Sequence, residues 1–142
     1  MADTPKHSVS VAGIVIRDDQ RILTIQRQDN EHWEPPGGVL ELDEAIEAGV
    51  RREIREETGV DVTVERLTGV YKNLPRGIVA LVFRCRPRSS SVSSTDEARS
   101  IRWLTVGEIT EHMDPAYAVR VTDAFLDSPV VRAHDGTNLI TA

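Results

Sequence analysis

Three glutamates, Glu53, Glu56 and Glu57, stand close together in the segment REIREETGV. On a helix, like charges three or four residues apart destabilise the structure by roughly 0.2–0.5 kcal/mol per pair. The cluster is therefore either a solvated face that carries this small cost or a site that binds a cation. Because cysteine and histidine are absent nearby, the carboxylate oxygens would favour Mg²⁺ or Mn²⁺ over Zn²⁺.

The segment that carries these glutamates is predicted to be a helix from about Glu44 to Thr58. Asp43 is the expected N-cap, because its side chain can accept a hydrogen bond from a free backbone N–H group of the first turn. Gly59 is the expected end, because glycine readily adopts the left-handed conformation that stops a helix. The candidate chemistry therefore lies in the C-terminal half of one helix.

A helical wheel at about 100° per residue predicts the direction in which the glutamates point. They fall beside the apolar stripe that docks the helix on the rest of the fold, formed by Ile46, Val50 and Ile54. Glu44, Arg51 and Arg55 fall on the opposite, solvent-facing side. Partly buried carboxylates require a counter-charge, and Arg52 is expected to pair with one of them. A divalent cation is expected to balance the rest.

The composition restricts the classes of partner. A net charge of −6 and a pI near 5.2 argue against long nucleic acid, which requires a basic surface, but not against a small phosphate-rich ligand neutralised by metal ions. Cys85 is the only cysteine, so neither an internal disulfide nor a cysteine-based zinc site is expected. The longest apolar run, Ile78–Phe83, is too short to cross a bilayer, and the N-terminus lacks an apolar signal core. We therefore expect a cytoplasmic protein without a membrane partner.

The elements around the helix predict a mixed α/β fold in a single domain covering residues 1–142. Segments rich in β-branched residues predict strands at residues 8–17, 21–28, 60–73, 77–86 and 100–105. The first two strands are expected to pair as a hairpin, and Gly69 is expected to form a bulge.

The C-terminal third is expected to be mainly helical. Thr105 and Glu108 predict a capping box for a short helix. Asp114 and Pro115 predict the start of another helix, which ends at Phe125 or Leu126. The tail after about residue 129 is weakly patterned. Surface positions are expected for three histidines, His32, His112 and His134.

Gly38, Glu44 and the segment Arg52–Val60 together have a spacing that resembles the signature of the Nudix hydrolases, which are also called MutT-like. Five residues separate Gly38 from Glu44, and seven separate Glu44 from Arg52. The resemblance implies a Nudix-type α/β/α sandwich with a mixed β-sheet, with the signature at residues 38–60. It also implies hydrolysis of a nucleoside diphosphate linked to another group, by water attacking a phosphorus atom with the help of Mg²⁺ or Mn²⁺.

The resemblance also assigns roles to the signature residues. The metal ligands would be the backbone carbonyl of Gly38 and the carboxylates of Glu53, Glu56 and Glu57. Arg52 would orient these glutamates by ion pairing. Glu44 matches the signature, but its predicted position on the outer face of the helix suggests a structural role.

The general base is left open between the helix and a loop. A carboxylate that is not consumed in metal binding, such as Glu53 or Glu56, could remove the proton of the attacking water. Glu97 is a second candidate, because it lies six residues before Trp103, where many family members place a loop glutamate. An ordinary charged loop residue is an equally good interpretation of Glu97.

Two residues outside the signature are candidates for substrate binding. Arg27, at the end of a strand, could reach a substrate phosphate, and a surface arginine is the competing interpretation. Trp33 could stack on a base or could simply support the loop in which it lies. The family usually has a large apolar residue at the position of Pro35, so we expect the base pocket to differ here.

The expected substrate is a small nucleotide: a nucleoside triphosphate, a damaged nucleotide or a nucleotide sugar. Pro75 lies 15 residues after Val60, a spacing linked in this family to ADP-ribose pyrophosphatases, although a turn at NLPRG explains the proline equally. A non-hydrolysing nucleotide-sensing module and a plain interaction domain are the alternatives from other classes. The intact REIREE argues against the first and the helical wheel against the second. A homodimer is left open.

Overall fold

The computed structural model of the chain describes residues 3–89 and 98–141. Within them the strands are β1 Ser8–Val15, β2 Ile22–Arg27, β3 Trp33–Glu34, β4 Gly37–Val39, β5 Val62–Asn73, β6 Ile78–Pro87, β7 Ala98–Leu104, β8 Val130–His134 and β9 Leu139–Ile140. The helices are α1 Ile46–Thr58, α2 Val106–His112 and α3 Pro115–Asp123. None of the helices in these two ranges is long and apolar enough to cross a membrane.

The strands form two sheets. The larger sheet has the order β4-β1-β6-β5-β8-β9, in which the pairs β1–β6 and β5–β8 are parallel and the other pairs are antiparallel. The smaller sheet has the order β3-β2-β7 and is antiparallel. The larger sheet is therefore mixed, as predicted.

Alternation of side chains along β1 divides the interior into two cores, because successive residues of a strand point to opposite faces. Val11 and Val15 pack in one core with Val50 and Ile54 of α1. On the other face, Ile14 belongs to a core that also receives buried side chains of α2 and α3, including Ile109 and Val121. Helices thus flank the strands on both sides, and the chain folds as an α/β/α sandwich, which confirms the predicted fold class.

The two predicted strand pairings have different outcomes. β1 and β2 are joined by a tight turn with a single bridge between Ile16 and Ile22, but they then enter different sheets, so the predicted hairpin is wrong. β5 and β6 do form an antiparallel pair, and its register shifts between Leu67 and Gly69, as predicted for a bulge. A side chain at Gly69 would collide with the ring of Tyr71, which explains the glycine.

The C-terminal region is more regular than its sequence suggests. The capping box of Thr105 and Glu108 is confirmed at the start of α2. The next helix begins after Asp114 as predicted and ends at Asp123, slightly earlier than expected. The weakly patterned tail forms β8 and β9, and β8 completes the larger sheet beside β5. As a result His134 is buried, and its predicted surface position is wrong.

Candidate active site

Helix α1 carries the glutamate cluster and begins two residues later than predicted. It begins at Ile46 after Ala45, so Asp43 is not its N-cap. The preceding loop is held by Glu44, whose carboxylate accepts a hydrogen bond from the Glu41 N–H at 3.0 Å. At the other end Gly59 has φ 76° and donates its N–H to the Arg55 carbonyl, which confirms the predicted stop.

The predicted orientation of the glutamates is correct for two of the three. Glu57 is 1% exposed and Glu53 is 9% exposed, beside the fully buried Val50 and Ile54. Glu56 differs, because its side chain is 60% exposed. The Glu56 carboxylate is therefore accessible to water, unlike those of Glu53 and Glu57.

Arg52 is hydrogen-bonded to two of the three clustered glutamates rather than one, and to Glu44 as well. Its guanidinium donates to Glu44 at 2.5 and 2.9 Å, to Glu53 at 2.8 Å and to Glu56 at 3.2 Å. It also donates to the carbonyl of Val39 at 3.2 Å, which ties α1 to β4. The hydrogen bonds that Glu44 accepts from Arg52 and from the Glu41 N–H lower the pKa of Glu44 to about 2. Glu44 is therefore a partner of Arg52. The helical wheel predicted that Glu44 lies on the outer face of the helix, and this prediction is wrong.

Glu57 is the most perturbed acid of the cluster. Its Oε1 accepts a hydrogen bond from the Gly37 N–H at 2.7 Å. Its Oε2 is buried and has no hydrogen-bond partner among the residues that the structure describes. Burial, with a smaller contribution from the nearby charges of Glu53 and Glu34, raises the pKa of Glu57 to about 8 against the opposing effect of the Gly37 N–H. At neutral pH the metal-free carboxyl group is therefore largely protonated.

The two glycines of β4 bring the backbone against these carboxylates. A Cβ atom on Gly38 would collide with the carboxylate of Glu53, and one on Gly37 would collide with the backbone of β1 at Val11 and Ala12. Only glycine permits this approach, in which the main chain of Gly38 and the side chain of Glu53 share one small space.

The chemistry of this cluster suits a hard divalent cation. Its donors are carboxylate oxygens, and a buried oxygen of Glu57 has no hydrogen-bond partner within the described part of the chain. In residues 3–89 and 98–141, however, no group of three or more His, Cys, Asp or Glu side chains has an arrangement that could hold a metal ion. The contacts explain this, because Arg52 holds Glu53 and Glu56 while the Gly37 N–H holds Glu57. The residues fit a cation by donor type and by the unpartnered oxygen.

A cavity of about 190 Å³ opens beside the cluster. Its lining residues include Gly38, Arg120 and His134. Arg27 also lines it and donates to Glu34 at 3.2 Å, so the structure brings this predicted substrate-binding residue to the site. Pro35 is part of the wall as well.

The remaining predicted residues lie elsewhere. Trp33 is not among the described residues that line this cavity, and it borders a smaller depression with His32. The guanidinium of Arg102 lies 5.8 Å from the centre of the Trp33 ring. Glu97 lies outside the described residues. Sequence reasoning missed Arg120 and His134, because neither belongs to a motif and His134 falls in the weakly patterned tail.

Comparison with known proteins shows which proteins this chain resembles. A family model described as the NUDIX domain matches residues 6–125. A MutT-like protein from Streptomyces ambofaciens is 57% identical over 140 residues, which cover 97% of this chain and 90% of that protein.

More distant relatives have different names. An ADP-ribose pyrophosphatase from Methanocaldococcus jannaschii is 33% identical over 109 residues, covering 72% of this chain and 64% of that protein. A putative 8-oxo-dGTP diphosphatase from Bacillus subtilis is 28% identical over 111 residues, covering 78% of this chain and 74% of that protein. The fold also matches the crystal structure of a NUDIX hydrolase from Nitrosomonas europaea with a TM-score of 0.79 at 18% identity, covering 93% of this chain and 82% of that one.

Proposed function

The chain belongs to the Nudix family of hydrolases, and from that premise we propose that it is a divalent-metal-dependent pyrophosphohydrolase. Its substrate would be a nucleoside diphosphate linked to another group. Nudix hydrolases generally use divalent metal ions and act on small nucleotides. We further propose that residues 1–142 form one domain and that the ion is Mg²⁺ or Mn²⁺.

The proposal rests above all on Glu57, a buried carboxylate beside Glu53 and the Gly37–Gly38 backbone. One of its oxygens has no hydrogen-bond partner in residues 3–89 and 98–141. A buried acid of this kind is stabilised either by a proton or by a cation. The proposed ligands are the Gly38 carbonyl and the carboxylates of Glu53, Glu56 and Glu57. Glu56 is the exposed member of this set, so it would be the ligand nearest to solvent.

When bound, the cation would cancel charge on the diphosphate and lower the pKa of the attacking water. The chain's own residues would do the rest. Arg52 holds Glu53 and Glu56 in fixed orientations through its ion pairs, and Arg27 lines the cavity, where it could bind a phosphate. Glu53 or Glu97 would accept the proton of the attacking water.

The proposed substrate is a small nucleotide. We propose a nucleoside triphosphate, a damaged nucleotide or a nucleotide sugar, and the B. subtilis relative, named as a putative 8-oxo-dGTP diphosphatase, favours the first two. ADP-ribose is the second candidate, favoured by the name of the M. jannaschii relative. The Pro75 spacing adds little to this choice, since Pro75 lies exposed in the turn between β5 and β6.

A panel of these nucleotides, incubated with Mg²⁺, with Mn²⁺ or with a chelator, tests the function. The release of phosphate, pyrophosphate and nucleoside monophosphate would be measured for the wild type and for Glu57→Gln. Glu47→Gln is a matched control, because Glu47 is an exposed glutamate of the same helix. We expect metal-dependent release of a nucleoside monophosphate that only Glu57→Gln loses. Tight nucleotide binding without turnover under every condition would instead identify a sensing module.

A further inference from the structure

Arg120 of α3 is a buried cation with an unused donor. It is 7% exposed and lines the cavity that also contains Gly38. Its Nε–H group is buried and, among the described residues, has no hydrogen-bond acceptor. The guanidinium carbon lies 5.0 Å from the ring centre of Tyr71 and 4.7 Å from that of Tyr117. Two aromatic rings therefore hold the arginine in place without satisfying its hydrogen bonds.

His134 of β8 adds a second unused donor. Its Nδ1 accepts a hydrogen bond from the Gly136 N–H at 3.0 Å, and because an N–H group can only donate, Nδ1 carries no proton. Burial and the charge of Arg120 lower the pKa of the ring, so the imidazole is neutral and its proton is on Nε2. This Nε2 lies 3.4 Å from Nη2 of Arg120. Two donors thus face each other across a short distance.

The carboxylates of this region are engaged elsewhere. Asp123 accepts hydrogen bonds from the Tyr71 hydroxyl and from two nitrogens of Arg132, all at 2.8 Å. Glu34, whose charge does reach Arg120, is hydrogen-bonded to Arg27. A cation removed from water without a hydrogen-bonded counter-ion is unstable, which makes this part of the cavity favourable for an anion.

We propose that Arg120 and His134 form a phosphate-binding subsite in the cavity that Gly38 also lines. A phosphate oxygen can accept hydrogen bonds from Nε and Nη2 of Arg120 and from Nε2 of His134, which supplies the missing acceptor for all three donors. The occupant is a phosphate group carried by the substrate, an identification that rests on the proposed function. The donor cluster itself does not depend on hydrolysis.

The tautomer of His134 provides a test that needs neither metal nor turnover. Nitrogen NMR of the histidine rings in the wild-type protein, with His134→Gln to assign the signal, reports which nitrogen carries the proton. We expect the Nε2-protonated tautomer. The Nδ1-protonated tautomer would overturn the proposal, because Nε2 would then accept a hydrogen bond from Arg120 and the cluster would be complete without a ligand.

Binding of inorganic phosphate to the metal-free protein provides the second test. Calorimetric titrations of the wild type, Arg120→Gln and Arg86→Gln would be compared. Arg86 is a suitable control, since it carries the same charge on an exposed side chain of β6 outside the cavity. We expect Arg120→Gln to weaken phosphate binding by roughly 10-fold or more, with Arg86→Gln unchanged. Equal binding by all three proteins would refute the subsite.

Steady-state kinetics identify the source of the phosphate. If the substrate supplies it, KM for the best nucleotide should rise roughly 10-fold or more in Arg120→Gln, with a smaller change in kcat. If free phosphate is the ligand, KM in phosphate-free buffer should stay constant while the loss of phosphate binding remains. Arg120→Lys keeps the charge but not the planar fork, so it serves as the variant if Arg120→Gln does not fold, and it should weaken phosphate binding as well.

Discussion

At the level of single residues, Glu57 distinguishes the candidate site from an ordinary solvent-exposed acidic helix. Its carboxyl group is buried, and its Oε2 has no hydrogen-bond partner among the residues that the structure describes. The carboxyl group has a folded-state pKa of about 8 and an ordinary value of 4.5. Between these two values the folded protein binds more protons than the unfolded chain, so the free energy of unfolding falls as the pH rises. Below about pH 4.5 this contribution is fully favourable, and above about pH 8 it is lost.

We predict that Glu57→Gln abolishes turnover and makes the metal-free protein less sensitive to pH. In the wild type, the free energy of unfolding should decrease by a few kcal/mol, to order of magnitude, between about pH 4.5 and about pH 8. The variant should not show this decrease, because the amide cannot ionise. Denaturant unfolding in a chelating buffer at several pH values would measure this. Parallel pH profiles for the two proteins, or full activity of the variant, would contradict the assignment.

We also predict that Glu97 contributes to proton transfer. If Glu97 is the general base, Glu97→Gln should lower kcat by roughly 10²–10⁴-fold with a modest change in KM, and the acidic limb of the pH–rate profile should flatten. If Glu53 is the base, Glu53→Gln should show these effects instead. A near-normal kcat and an unchanged pH–rate profile in Glu97→Gln would exclude the loop residue.

At the level of elements, strand β4 and helix α1 form one unit, because Gly38 and Glu53 share a space with no room for a Cβ atom. We predict that Gly38→Ala displaces the Glu53 carboxylate and lowers kcat by roughly 10²-fold or more. Gly107→Ala in α2 is the matched control, since its Cβ atom would meet only the Thr105 hydroxyl at 3.9 Å. It should leave activity unchanged and stabilise α2 by up to about 1 kcal/mol. Equal activity of the two variants would mean that Gly38 does not support the site.

The sequence was informative where one local pattern determines the structure. The glycine stop at Gly59 and the capping box at Thr105 each depend on a few neighbouring residues, and both agree with the structure. The apolar spacing of α1 is confirmed for Val50 and Ile54, which are buried, but not for Ile46, which is exposed. The start of α1 did not follow the N-cap rule, because Glu44 is held by Arg52 and by the Glu41 N–H. The contact between Glu44 and Arg52 joins residues that lie eight positions apart, so a rule for helix ends based on neighbouring residues does not include it.

Long-range pairing accounts for what the sequence could not predict. β8 is a short strand whose order depends on β5, a neighbour some sixty residues earlier in the chain. The burial of His134 and its contact with Arg120 follow from that pairing. The sequence therefore did not predict that these two residues line the cavity. Similarly, β1 and β2 have the pattern of a hairpin, but they part because each sheet offers its strand a larger partner surface.

At the level of the whole molecule, the cavity joins two regions of opposite charge. Glu53 lies against Gly38 and Glu57 against Gly37, whereas Arg120 of α3 contacts His134 of β8. A nucleotide substrate bound with a cation could neutralise both regions at once. The fold would then be most stable in the ternary complex.

We predict that millimolar Mg²⁺ or Mn²⁺ raises the Tm of the wild-type protein, because a ligand that binds only the folded state stabilises it by mass action. At a free metal concentration of about 100 times Kd the gain is about 2.7 kcal/mol. Thermal unfolding with and without metal measures it, and Glu57→Gln should lose most of the shift. An unchanged Tm in a protein that turns over with metal would mean that the cation binds only together with substrate.

Binding of Mn²⁺ tests the central claim most directly, because the electron paramagnetic resonance signal of free Mn²⁺ reports binding without any need for turnover. Titrations would compare the wild type, Glu53→Gln and Glu57→Gln with Glu47→Gln, the exposed glutamate of the same helix. We predict that the wild type and Glu47→Gln bind Mn²⁺ equally and that the other two variants bind it roughly 10-fold or more weakly. Equal affinity in all four proteins would show that Glu53 and Glu57 do not hold the metal.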